Sequence, residues 1–182
     1  MIQRTKELNL AGLFAALTAV GAFIKIPFYP VPITMQTLVT IFAALALRPM
    51  WAGLSQMMYL MIGLIGLPVF ATGGGLGYVT SPTFGYLLSL PVVAYGVSSI
   101  YHHYSVEKYW QLFLLTSIGS IFILLMGTTW LYLNFKIFMQ SALTWQSAFE
   151  SGLIIFLPGT ILKSLLVIWL VKRLLPIINK EF

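Results

Sequence analysis

The sequence predicts an all-α integral membrane protein, a single bundle of six transmembrane helices with both termini in the cytoplasm. Of its 182 residues, 59% are hydrophobic and only 8% are charged, whereas a soluble domain carries about 25% charged residues. Its apolar runs approach the roughly 20 residues that a helix needs to cross the hydrocarbon core. Basic and nearly uncharged connections alternate between these runs. Lipid is therefore the predicted solvent for most of the surface.

Six apolar segments are predicted as transmembrane helices, at about 8–26, 34–47, 50–67, 83–101, 110–131 and 152–175. The second segment is short, and Arg48-Pro49 separates it from the third. We therefore expect these two helices to form a tight hairpin. The chain contains no linker and no shift of composition, so residues 1–182 are predicted to form one transmembrane domain.

The connections between the segments are of two kinds. Basic residues and histidines occur at both termini and in two connections: Arg4, Lys6, Arg48, His102, His103, Lys108, Lys172, Arg173 and Lys180. The other connections, at 27–33, 67–82 and 132–151, contain almost no charge, with one Lys and one Glu in the last. Cytoplasmic loops carry the excess of Lys and Arg. The alternation predicts a multi-pass membrane protein with six crossings and both termini in the cytoplasm.

The residue inventory excludes several classes of chemistry. The chain has no Cys and no Asp, and it has only four Glu. Disulfides and cysteine-ligated metals are excluded, and a carboxylate metal cage or an acid/base pair is hard to assemble. The adjacent His102 and His103 would point to different faces of a helix. We predict no catalytic residue, no metal, no cofactor and, because the basic residues are scattered between apolar runs, no nucleic-acid binding.

The first candidate binding feature is a proline-rich connection at residues 27–33. Three prolines within six residues forbid a helix there. The rigid segment delivers Thr34, Gln36 and Thr37 to the start of a helix, where hydroxyls and free backbone N–H groups lie together. The alternative is a stiff hairpin that ends in a helix cap.

The second feature is an uncharged loop at residues 66–82 with five glycines and two prolines. Gly73, Gly74, Gly75 and Gly77 would let the backbone approach a ligand closely. No Gly-Lys-Ser/Thr sequence follows them, so the loop is not a P-loop. We interpret it as a lid or pocket wall, with a flexible connector as the alternative.

The third feature is Lys163, which lies in an apolar run after Pro158. Pro158 suits the start of a helix, so Lys163 would lie about one and a half turns inside it. A cation at membrane depth costs several kcal/mol unless it is paired or hydrated, which makes it a candidate functional residue. The alternatives are snorkelling to the interface and pairing with Glu150. All three features lie on the predicted outer side and could enclose a small, largely apolar anion.

The order of these features resembles the BioY family, the biotin-specific S-components of energy-coupling-factor (ECF) transporters. Val31-Pro32-Ile33-Thr34-Met35-Gln36-Thr37 is similar to that family's P-x-P-I-T-x-Q-T signature. The later matching blocks are, in order, residues 66–70, the Gly-rich loop, Pro82-Thr83, Gly85-Tyr86-Leu87, Gly127, Trp130-Leu131 and residues 156–163. The similarity covers nearly the whole chain.

The resemblance implies six helices around a pocket that opens to the outside and binds biotin. It also implies partners, because a transmembrane coupling subunit and two ATPases usually drive transport in the family, although some members are reported to work without them. Small residues spaced by four on the first helix often contact the coupling subunit, and Ala11, Ala15 and Ala19 match that spacing. Ordinary packing within the chain is the alternative for these alanines.

The chain departs from the family pattern at two blocks. Thr160 stands where the usual P-G-D-x-x-K block has Asp, which removes the expected partner of Lys163. The usual G-P-T-G-G-Y block reads Ser-Pro-Thr-Phe-Gly-Tyr at residues 81–86. Lys163 is then free to pair with the biotin carboxylate, or Glu150 substitutes for the missing acid.

The sequence thus predicts a subunit that binds biotin and carries it across the membrane. The expected pocket has a cationic anchor, polar contacts, a glycine lid and aromatic walls, formed by Lys163, Thr160, Thr34, Gln36, Thr37, Gly73, Gly74, Gly75, Gly77, Phe70, Tyr78 and Tyr86. The alternatives are an S-component for another vitamin, such as thiamine or riboflavin, and a non-catalytic membrane scaffold. A membrane-embedded enzyme would need a catalytic set that the sequence does not contain. Since the sequence has no ATP-binding motif, energy must come from partners or a gradient.

Overall fold

The computed structural model describes residues 2–140 and 143–181. Its elements within that part of the chain are α1 (Ile2–Phe23), β1 (Lys25–Ile26), β2 (Ile33–Thr34), α2 (Gln36–Ala46), α3 (Pro49–Ile65), α4 (Phe84–His103), α5 (Tyr109–Ile137), α6 (Trp145–Gly152) and α7 (Leu157–Glu181). Short 3₁₀ turns at Leu76–Thr80 and Ile154–Phe156 precede α4 and α7.

The predicted all-α membrane bundle is confirmed, since each of the six predicted segments contains a helix. Helices α1, α4, α5 and the run from α6 through α7 are long and apolar enough to cross a membrane. Their outward faces carry large exposed apolar side chains, among them Leu13, Val20, Ile118, Leu125 and Leu162. Such a surface is stable in contact with lipid, where apolar side chains do not order water.

Several helix ends lie up to about six residues from the predicted bounds, and two differences from the prediction have a visible structural cause. Helix α1 ends at Phe23 because the chain then forms a small antiparallel hairpin, in which Lys25 pairs with Thr34 and Ile26 with Ile33. The eight-residue α6 begins inside the predicted connection 132–151 and ends one residue beyond it, and the sequence does not predict it as a helix. It begins at a polar cap, where the Thr144 hydroxyl accepts a hydrogen bond from the Ser147 N–H at 3.2 Å. Hydropathy gave no sign of α6 because it is short and rich in polar residues.

The short helix α2 lies at the centre of the bundle. It packs against α1, α3, α4, α5 and α7, and eight of its 11 residues are buried. Such a helix does not need the length of a lipid-exposed span, because the surrounding protein shields its ends from hydrocarbon. The main apolar core surrounds it and includes Ile41, Leu45, Leu90 and Leu112.

The β1–β2 hairpin fixes the outer end of α2. The Met35 N–H donates to the carbonyl oxygens of Gly21 at 3.0 Å and of Ile24 at 3.1 Å. These bonds tie the entry to α2 to the end of α1, so the polar residues Thr34 and Gln36 take fixed positions at the outer end of the bundle. The prolines between the strands keep this connection non-helical, as predicted.

Candidate functional site

A cavity opens at the outer end of the bundle, between the β1–β2 hairpin and the outer ends of α2, α4 and α7. The empty volume of this cavity, counted together with the open space at its mouth, is about 630 Å³. Its lining is mostly apolar with a few polar groups, and consists of Val31, Pro32, Thr34, Gln36, Thr37, Ala71, Tyr78, Thr83, Tyr86, Leu87, Leu90, Ser120, Leu124, Phe156, Thr160 and Lys163.

Lys163 brings a cation into this cavity from the second turn of α7. Its Nζ donates to the Thr34 carbonyl at 2.7 Å and to the Thr37 hydroxyl at 3.1 Å. An ammonium group has three donors, so one remains for a ligand. Among the described side chains, one ion pair forms, between Arg48 and Glu7. None of the described carboxylates neutralises Lys163.

Glu150, the predicted substitute for the missing acid, lies elsewhere. Its side chain is exposed on α6, where it accepts a hydrogen bond from the Gln146 amide at 3.1 Å. Thr160, in the position of the family's Asp, is buried, and its hydroxyl donates to the Phe156 carbonyl at 3.0 Å. Lys163 therefore faces the cavity with neutral partners.

Gln36 forms a second polar group in the cavity, and its amide is held at both ends. The Thr34 hydroxyl donates to its Oε1 at 2.8 Å, and its Nε2 donates to the Tyr59 hydroxyl at 2.6 Å. Tyr59 in turn donates to the Val69 carbonyl at 3.1 Å. The orientation of the Gln36 amide is therefore set before any ligand arrives.

A buried polar cluster lies deeper along the same side, between α1, α2 and α3. The Gln56 side chain is fully buried. Its amide nitrogen contacts the hydroxyls of Thr18 at 3.2 Å and Ser55 at 3.1 Å, and its oxygen accepts from Thr40 at 3.0 Å. These bonds satisfy polar groups that would otherwise be costly in an apolar interior.

The Gly-rich loop supplies one wall of the cavity through Tyr78 and Ala71. The Tyr78 hydroxyl lies 2.9 Å from the Thr72 hydroxyl and accepts a hydrogen bond from Thr83 at 3.0 Å. The Lys25 ammonium donates to the Ala71 carbonyl and so joins the hairpin to this loop. The wall is thus bonded to both the start of α4 and the hairpin.

Phe70 and the four glycines of the expected lid lie outside the described lining of the cavity. The Phe70 ring packs between Tyr78, with centroids 4.6 Å apart, and Tyr59, at 5.5 Å. A Cβ on Gly74 would lie 2.2 Å from the Leu67 carbonyl oxygen, and Gly75 has a φ of 97°. Gly74 therefore lets the loop fold tightly against its own backbone.

Tyr86 and Phe156 form the apolar wall opposite the loop. Their ring centroids are 6.3 Å apart, and the Tyr86 hydroxyl donates to the Gly152 carbonyl at 2.8 Å. This bond anchors α6 to α4. A Cβ on Gly127 would lie 2.1 Å from the Tyr86 ring, so only a glycine leaves room for this tyrosine on the neighbouring helix.

Seven of the twelve predicted binding residues thus lie in one cavity lining: Thr34, Gln36, Thr37, Tyr78, Tyr86, Thr160 and Lys163. The other nine lining residues were not predicted; two of them are polar, Thr83 and Ser120, and the rest are apolar, among them Leu87 and Leu90. Thr83 follows Ser81-Pro82 at the start of α4, a position typical of a helix cap. Ser120 carried no such signal, because a membrane helix is apolar on all sides and its inward face cannot be read from periodicity.

The three alanines expected at a partner surface lie mostly inside the chain. Ala11 is 0% and Ala15 is 3% exposed, and Ala19 is half-buried against the same core. They face the bundle because they lie on the side of α1 that packs against α2 and α3. The structure thus accounts for this spacing by packing within the chain.

Comparison with known proteins gives a consistent result. The probable biotin transporter BioY of Lysinibacillus sphaericus is 36% identical over 152 residues, which are 84% of this chain and 78% of that protein. The biotin transporter BioY2 of Lactococcus lactis subsp. cremoris is 35% identical over 170 residues, or 91% and 89% of the two chains.

A solved structure and a family model extend the likeness to almost the whole chain. The S-component for biotin from an ECF-type ABC transporter superposes with a TM-score of 0.81 at 26% identity, and the match covers 94% of this chain and 92% of that chain. The BioY family model matches residues 1–180. Since this model spans the hairpin, the Gly-rich loop and the α7 lysine together, the chain belongs to the BioY family.

Proposed function

We propose that this protein takes up biotin, which it binds in the outer cavity and carries across the cytoplasmic membrane. The observation that carries the proposal is the Lys163 ammonium, which faces a largely apolar cavity without a carboxylate partner among the described side chains. A cation at this depth gains most from an anionic ligand that brings its own counter-charge. The relatives named as biotin transporters supply the identity of the ligand.

The chemistry of biotin matches the arrangement of the lining. Its single carboxylate would pair with Lys163 and Thr37, which donate N–H and O–H groups. Its ureido ring needs both donors and acceptors, which the Gln36 amide and the Thr83 hydroxyl provide. Its thiophane ring and aliphatic chain would contact apolar side chains, among them Tyr86, Leu90 and Phe156.

Energy for transport would come from partner proteins. The sequence contains no Walker motif, and its structural neighbour is an S-component of an ECF-type ABC transporter. We propose that the chain likewise couples to a transmembrane subunit and two ATPase subunits, and that it moves its ligand without catalysing a reaction. The comparisons do not favour the two alternatives, an S-component for another vitamin and a membrane scaffold.

Binding and uptake of labelled biotin test the proposal. Purified protein should bind labelled biotin saturably, and unlabelled biotin should compete where thiamine and riboflavin do not. A biotin-auxotrophic bacterium that expresses the chain should then take up labelled biotin, either alone or after an ECF module is co-expressed. Absence of saturable binding by folded protein, or competition by another vitamin at lower concentration than biotin, would refute the proposed ligand.

A further inference from the structure

A second concave surface lies at the opposite, cytoplasmic end of the bundle. This inner groove runs between the start of α5 and the middle of α7, and has an empty volume of about 1,100 Å³ including its open side. Its described lining consists of Tyr109, Trp110, Phe113, Leu165, Ile168, Trp169, Lys172 and Arg173. The groove shares no described lining residue with the outer cavity, so binding of the proposed ligand does not explain it.

Two cations hold fixed positions at the cytoplasmic mouth of the inner groove. The Lys172 ammonium donates to the Glu107 carbonyl at 2.8 Å and lies 5.2 Å from the centroid of the Tyr109 ring. The Arg173 guanidinium lies 5.7 Å from the centroid of the Trp169 ring. Aromatic contacts of this kind orient a cation and leave its N–H donors free at the edge.

The charge at this mouth is positive. Neither Lys172 nor Arg173 forms an ion pair with a carboxylate among the described side chains. Glu107 meets Lys172 through its backbone oxygen, and the neighbouring Lys108 is exposed. At this end of the bundle, the three cations Lys108, Lys172 and Arg173 therefore outnumber the single carboxylate of Glu107.

The rest of the groove is apolar and extends toward the membrane centre. Ile168 forms a floor that is only 5% exposed, whereas Leu165, Trp169 and Trp110 are exposed along the rims. A soluble anion would use the cations and leave this surface unused. A molecule with a phosphate at one end and an acyl chain at the other would use both.

From this combination we infer that the inner groove binds an anionic phospholipid of the cytoplasmic leaflet. The phosphodiester contacts Lys172 and Arg173, and one acyl chain lies along Trp169, Leu165 and Phe113. Clusters of basic residues at the cytoplasmic ends of transmembrane helices attract anionic lipids, and aromatic side chains occupy the same depth.

Tryptophan quenching by brominated lipids tests this site directly, because Trp110 and Trp169 line it. The full chain is reconstituted in phosphatidylcholine vesicles with a small fraction of either dibromo-phosphatidylglycerol or dibromo-phosphatidylcholine. We expect the anionic brominated lipid to quench more strongly at equal fraction. Replacement of Trp110 and Trp169 by Phe should remove most of this excess quenching.

The charge requirement is tested by the double variant Lys172→Gln/Arg173→Gln. Each basic residue near the surface should favour the anionic lipid by about fivefold, so loss of both should abolish the preference. The matched control is Arg4→Gln/Lys6→Gln, which removes the same amount of charge from the cytoplasmic end of α1. This control should keep the preference for the anionic lipid. If circular dichroism shows that the double variant is not helical, the two single variants should each lose part of the preference.

Three outcomes would overturn the inference. The first is equal quenching by both brominated lipids. The second is equal loss of preference in the Arg4/Lys6 control, which would indicate a general surface potential. The third is displacement of the brominated lipid by soluble glycerol 3-phosphate, which would indicate an anion site that does not use the acyl chain. None of these results depends on biotin binding.

Discussion

Two walls of the outer cavity hold polar groups at membrane depth in opposite ways. On the Gln36 wall, formed by α2 and α3, the Gln36 amide bonds to Thr34 and Tyr59. On the Lys163 wall, formed by α7, the ammonium meets one carbonyl and one hydroxyl. The Gln36 wall is neutral and hydrogen-bonded without a ligand, whereas the Lys163 wall carries a positive charge that no described carboxylate neutralises. This difference indicates that the Lys163 wall provides most of the affinity and the Gln36 wall provides the fixed geometry.

Removal of the cation should have the largest effect. Lys163→Ala should weaken biotin binding at least about thirtyfold, because loss of one partner of a buried charged pair costs about 2–5 kcal/mol. Biotin methyl ester, which lacks the carboxylate charge, should bind weakly to the native protein and lose little further affinity in the variant. Titration of both ligands measures this coupling.

The matched control for that experiment is Lys136→Ala. Lys136 is an exposed cation near the outer end of α5 and lies outside the cavity, so its loss should leave biotin affinity unchanged. Equal affinity of Lys163→Ala and native protein for biotin would remove Lys163 from the site and with it the proposed contrast between the walls.

Displacement of the Gly-rich loop should have the next largest effect, on the Gln36 wall. Gly74→Ala places a Cβ against the Leu67 carbonyl, and overpacking of this kind costs about 1–3 kcal/mol. We expect a lower thermal midpoint and weaker binding of biotin and its ester alike, because Val69, which anchors Tyr59, lies in the displaced segment. Gly77→Ala is the matched control, since its Cβ would meet nothing within 4 Å. If Gly77→Ala weakens binding and Gly74→Ala does not, these glycines act as a lid that touches the ligand.

Loss of one hydroxyl should have the smallest effect of the three. Tyr59→Phe removes the acceptor of the Gln36 amide, and a hydrogen bond contributes about 1 kcal/mol net, so affinity should fall by about fivefold. The loss should be the same for biotin and its methyl ester, because the proposed contact of Gln36 is with the ureido ring and not with the carboxylate. Tyr95→Phe on the exposed face of α4 should change neither. A loss confined to biotin would show that the two walls are coupled rather than separate.

The membrane fold could be predicted because its signals do not depend on contacts. Composition, segment length and the alternation of basic connections are read directly from the chain, and together they located the six main helices. The short α6 escaped because its polar sequence resembles a connection. The bounds of α1 escaped because pairing of residues 25–26 with residues 33–34 ends that helix.

The sequence predicted those site residues whose residue type or local pattern is unusual in an apolar membrane protein. Lys163 is conspicuous in an apolar run, and Thr34 and Thr37 follow a run of prolines, but their contact across more than 100 residues is visible only in the structure. Gly74 shows that the sequence can predict a close contact without predicting which group makes it. The sequence predicts that a ligand approaches this glycine closely, whereas in the structure its close neighbour is the Leu67 carbonyl.

The central position of α2 has a consequence for biosynthesis. An 11-residue helix is about 16 Å long, roughly half of the hydrocarbon thickness, so it cannot partition into the bilayer as an independent span. The buried Gln56 amide likewise forms its bonds to Thr18 and Thr40 only when α1, α2 and α3 are together. The first three helices must therefore enter the membrane as one unit, and a nascent chain released before Ile65 would expose buried amides to lipid.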